Sequence, residues 1–109
     1  MCGIQLRLVE AAHILPVAAP GSTDRTTNGI ALCALHHVAF DAGLVSFDET
    51  YRIEVSRTQQ LRFESLALAD GVEAFCKAIR PELLLPNARS DYPDVALISE
   101  AKRVRRWQA

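Results

Sequence analysis

No stretch of the sequence comes near the roughly 20 consecutive apolar residues that a membrane span requires, so a membrane-spanning reading is excluded. There is no excess of charge either. Twelve Lys and Arg against thirteen Asp and Glu leave a formal net charge of −1, which gives no global sign of nucleic-acid binding. Cysteine is scarce and odd in number, at three, which argues against a disulfide framework and for a reducing compartment. The first residues do not resemble a secretory signal, because charges and Pro16 interrupt them early. Internal repeats and low-complexity tracts are absent. What remains is 109 residues, half of them hydrophobic, enough for one real core and too apolar for disorder. A soluble, cytoplasmic, single-core protein is expected.

The rare residues are unevenly placed. All three histidines fall between His13 and His37, and Cys2 and Cys33 stand near the two ends of the same region. Histidine is the commonest metal ligand and the usual general base near neutral pH, so the first forty positions are where chemistry is sought.

Residues 6–14 are apolar enough for a short strand that Pro16 closes. Residues 17–28, rich in Pro, Gly, Ser, Thr and Asn, read as a loop. From Ile30 to Ala42 neither Gly nor Pro occurs. Apolar residues there recur at spacings of three and four, predicting a helix with Gly43 as its C-terminal cap. Leu44–Phe47 and Tyr51–Val55 predict a β-hairpin across Asp48-Glu49-Thr50. Residues 57–68 fit neither period, and residues 72–79 suit a short helix or a strand. Pro81 to Pro86 reads as an extended connector. Residues 91–107 predict a last helix, with Asp91 as N-cap and Pro93 in the first turn.

A strand end packed on a helix start would set His13 beside His37, with Asn28 bracing the loop through its backbone. A base and a metal ligand facing one cleft could hydrolyse a phosphodiester. Simpler roles exist for each residue. A histidine on an apolar strand can be an ordinary core residue, Asn28-Gly29 alone is a turn signal, and Asp24 suits a loop brace. Phe40 reads as core, Asp41 as a cap or a bond to the hairpin, and Cys76 as a small buried apolar residue. The basic tail Lys102–Trp107 fits a phosphate contact and a solvated helix C-terminus equally well.

The segments Ala11-Ala12-His13-Ile14-Leu15-Pro16, Asp24 to Asn28-Gly29, and His37-Val38-Ala39-Phe40-Asp41-Ala42-Gly43 together resemble the HNH endonuclease family, in its restriction-type bacterial branch. The resemblance covers about the first half of the chain. It implies an α+β fold built on a ββα-metal finger, followed by a β-hairpin and a C-terminal helix. Residues 1–56 would be the nuclease domain, N-terminally shortened, and residues 57–109 a strand and helix extension packed on it. By the same resemblance His13 is the general base, Asn28 the organiser of the loop, and His37 a ligand to catalytic Mg2+ or Mn2+. Many members carry a metal-binding Asp or His just before the first histidine, where this chain has Ala12. Glu10, Asp24 and Asp41 are the nearby carboxylates, and Asp24 and Asp41 are carried as further metal candidates.

Family members often staple the finger with zinc on two Cys-x-x-Cys pairs. Cys33 and His36 match the second pair and Cys2 half of the first, an incomplete structural zinc set whose missing partner would precede Met1. Arg7, Arg25 and Arg52 flank the expected cleft as phosphate contacts. The implied substrate is DNA, with a homodimer or an upstream recognition domain as the source of specificity. The competing class is a degenerate HNH or zinc module that binds DNA or a partner protein without cutting.

Overall fold

The computed structural model describes Met1–Ala109 as a mixed α/β arrangement of two two-stranded antiparallel sheets and four α-helices. β1 (Val9–His13) pairs with β2 (Gly29–Cys33), with Val9 opposite Cys33 and His13 opposite Gly29. The long intervening loop ends in a 3-10 turn, Thr26–Asn28. β2 runs straight into α1 (Ala34–Asp41), whose N-cap is Cys33. The helix predicted from Ile30 therefore starts four residues later. Ile30 to Cys33 are extended because β1 needs a hydrogen-bonding partner, and a short apolar run satisfies strand and helix patterns alike.

The expected hairpin is present as β3 (Val45–Phe47) and β4 (Ile53–Val55). Asp48 Oδ1 closes its turn by accepting from Thr50 N, Thr50 Oγ1 and Arg52 N at 2.8, 2.7 and 3.0 Å. The segment of mixed period forms α2 (Arg57–Ser65), started by the Ser56 hydroxyl, which accepts from Gln59 N. α3 (Val72–Ala78) resolves the next ambiguity in favour of a helix. The Pro81–Pro86 connector stays extended and adds a single bridge, Glu82 to Arg52.

The last helix, α4 (Val95–Val104), begins later than expected. Asp94 caps it by accepting from Ala96 N, while Asp91 belongs to a preceding 3-10 turn. Asp94 N itself donates to Thr27 O, so the cap is anchored to the loop before β2.

One core joins the two halves of the chain. Ile14, Leu15 and Leu32 from the first hairpin meet Phe40, Val45 and Phe47, and α4 adds Ile98 and Ala101. Each large side chain buried here contributes about 1.5–3 kcal/mol. Phe40 lies in this core as expected, whereas Cys76 is only partly buried. No helix is long and apolar enough to cross a membrane.

Candidate active site

Along β1 successive side chains alternate between faces, so Glu10 and Ala12 share one face and His13 takes the other. Ala12 is buried, and Glu10 reaches across to α1. His13, at the strand's end, turns to the loop instead. Its Nε2 lies 2.9 Å from Asp24 Oδ1. An ionised carboxylate only accepts, so Nε2 must carry a proton, and in the neutral ring Nδ1 then keeps its lone pair. Both residues line a cleft of about 1100 Å³, walled by β1, the N-terminal segment and residues 83–86.

His37 sits in the first half of α1 with a carboxylate at each ring nitrogen. Glu10 Oε2 is 2.7 Å from Nδ1, and Asp41 Oδ2, one helical turn on, is 3.3 Å from Nε2. A neutral imidazole has one N–H for these two acceptors. The other nitrogen then faces an oxygen lone pair to lone pair, a conflict that ring protonation or a bound cation removes. The two carboxylates lie at opposite ring nitrogens, so a single divalent cation such as Mn2+ or Mg2+ could take His37 Nε2 with Asp41, while Glu10 holds the ring from Nδ1. No hydrogen bond joins His13 to His37. The two imidazoles engage different carboxylates.

Asn28 is fully buried. Its Oδ1 accepts from Leu15 N at 2.8 Å, and its Nδ2 donates to Thr23 O at 2.8 Å and towards Leu15 O and Ser22 Oγ at 3.3 Å. One side chain thus ties both ends of the loop that carries Asp24. Asp24, a metal candidate from the sequence, is engaged with His13, and no hydrogen bond or ion pair joins it to His37.

Cys2, Cys33 and His36 form a second cluster on the N-terminal side of α1, with their donor atoms all within 4.8 Å of one another. The sulfur atoms are 3.7 Å apart, and Cys33 Sγ lies 2.9 Å from His36 Nδ1. His36 is buried against Phe75, and its Nε2 has no partner. Burial pushes its pKa below the ordinary histidine value, favouring the neutral ring that binds metals. These soft donors form a candidate metal site.

Of the proposed phosphate contacts, Arg25 lines the cleft, while Arg7 and Arg52 do not. Arg52 belongs to the hairpin bridge with Glu82. Sequence reasoning missed Arg105 as a site residue. Its Nη1 donates to Asp41 Oδ1 at 3.0 Å, and its Nη2 to His13 O and Ile14 O at 3.1 and 3.2 Å. The basic tail was its only sequence signal.

Residues 1–48 match a family model described as HNH endonuclease. No curated protein and no solved structure matches the chain.

Proposed function

Residues 1–48 belong to the HNH endonuclease family, and from that premise we propose that the chain is a metal-dependent DNA endonuclease, the catalytic module of a restriction or defence system. The observation that carries this reading is the pairing of each motif histidine with its own carboxylate partners around β1 and α1, beside a loop locked by Asn28. The order β1, loop, β2, α1 supports a ββα-metal finger. The shared core supports residues 57–109 as an extension packed on a nuclease domain of residues 1–56.

In this reading Asp24 holds Nε2–H of His13, leaving Nδ1 to take a proton from the attacking water. With Glu10 fixing the ring from Nδ1, His37 Nε2 and Asp41 would hold a divalent cation. When bound, it would polarise the phosphodiester and stabilise the leaving oxygen. Asn28 keeps the loop, and so Asp24, in register with the end of β1. Arg25 offers a phosphate contact on the cleft wall. The soft donors of Cys2, Cys33 and His36 suit zinc, although structural zinc almost always takes a fourth ligand.

A second reading, a module that binds without cutting, is favoured by Ala12, which is packed in the core and offers no ligand atom. Plasmid cleavage with Mg2+, Mn2+ or EDTA, comparing wild type with His13→Ala, separates the two. The nuclease reading expects metal-dependent nicked or linear product, reduced roughly 10²–10⁴-fold in the variant. Folded wild-type protein that yields no product with either metal overturns it.

A further inference from the structure

Outside residues 1–48, the C-cap of α4, Arg105, is a side chain that touches both halves of the candidate active site. The Arg105 guanidinium donates to the backbone oxygens of His13 and Ile14, at the end of the strand that carries the base. Its other arm donates to Asp41 Oδ1, while the second oxygen of that carboxylate faces His37. The guanidinium also stacks 4.4 Å from the Phe40 ring centroid, and only 14% of the side chain is exposed. These contacts occupy the group. It is held in place by the core and committed to acceptors of its own chain, which is not how a phosphate contact on an open surface is held.

We infer that Arg105 is a positioning residue for the nuclease site, a clamp that sets the end of β1 against the Asp41 carboxylate and so fixes His13 relative to His37. The inference rests on the nuclease reading. The physical requirement is a planar fork: two acceptors at and just past the end of β1 and one on α1 lie in different directions from one group, and only arginine presents rigid donors to all of them. A lysine at this position keeps the charge and most of the stem but offers a single point of attachment.

The test uses the full chain with Arg105→Lys beside wild type and His37→Ala. Plasmid cleavage gives kcat and KM for DNA, and calorimetric titration gives Mn2+ affinity without any turnover. In Arg105→Lys, kcat is expected to fall about ten- to a hundredfold and Mn2+ affinity about tenfold, as for other groups that orient a metal ligand. KM for DNA and its salt dependence stay unchanged. Arg105→Met, which keeps an apolar stem over Phe40, serves if the lysine variant does not fold.

Wild-type values of both kcat and Mn2+ affinity in a folded variant overturn the clamp and leave the nuclease reading intact. A raised KM with a flatter salt slope and unchanged kcat also overturns it, making Arg105 a phosphate contact. If no protein cleaves DNA, but Mn2+ binding depends on His37 and weakens in Arg105→Lys, the clamp stands and the nuclease reading falls. No Mn2+ binding by wild type overturns the clamp, and the nuclease reading falls with it if neither metal supports cleavage.

Discussion

Glu10 on β1 and His37 on α1 meet across the strand–helix interface, with Oε2 2.7 Å from Nδ1. This contact links the first strand to the helix and orients the His37 ring, whose Nε2 faces Asp41 where the candidate cation would bind. Glu10→Gln removes the charge and leaves a neutral acceptor of nearly the same shape. Mn2+ affinity should fall about ten- to a hundredfold, with the melting temperature little changed, because both side chains are partly exposed. Calorimetric titration checks it, and an unchanged affinity would remove Glu10 from the site.

Asp24 sets which nitrogen of His13 is protonated, yet its side chain is almost fully exposed. Water can substitute for part of that interaction. Asp24→Asn should therefore lower kcat by less than the loss in His13→Ala, without altering Mn2+ affinity. Single-turnover cleavage of a labelled duplex resolves the two effects.

Asn28 satisfies Leu15 N–H inside the protein, where water cannot replace it. Asn28→Ala strands that buried donor, at a cost of about 1–3 kcal/mol. Urea denaturation should show a lower midpoint at an unchanged slope. A midpoint equal to that of wild type would mean that the loop is not held in this way.

The hairpin turn carries a pH signature. Hydrogen bonds from the Thr50 hydroxyl and the Arg52 and Thr50 amides hold the Asp48 carboxyl below its ordinary pKa. A depressed folded-state pKa means that the stabilisation is fully present above the unfolded value, about 3.9. It is lost as pH falls from there through the folded value. Asp48→Asn should be less stable than wild type at neutral pH, and the gap should narrow below about pH 4. Thermal melts of both proteins across that range test it, and a gap independent of pH would reject the assignment.

For the Cys2, Cys33 and His36 cluster, a metal that binds only the folded chain must raise its melting temperature. Added Zn2+ should do so in wild type and fail to do so in Cys33→Ser. Equal shifts in the two proteins would locate zinc binding elsewhere.

Several elements were legible because local chemistry specifies them. Asp48-Glu49-Thr50 between two alternating runs could hardly be anything but a turn, and the loop ending at Asn28-Gly29 is written in its composition. Ile30 to Cys33 was not legible. Its spacing allows a helix, and it is extended because β1 lies alongside and supplies the hydrogen bonds. Asp91 and Asp94 are both plausible caps by type. Asp94 caps α4 in the fold, with its own amide bonded to Thr27, a residue distant in sequence.

The candidate site divides along the same line. Residue order alone placed His13 at a strand end, Asn28 at a loop junction and His37 on a helix, because these positions follow from short-range pattern and from the family motif. Which carboxylate each imidazole meets depended on strand alternation and on the packing of α1 over β1. Arg105 lay beyond any local reading. Its partners at His13 and Ile14 are about ninety residues away, and only the burial of α4 against Phe40 and Phe47 brings the guanidinium to them. A motif can specify which groups a site contains. Their relative positions come from long-range packing, because the contacts that hold them join segments with no proximity in the chain.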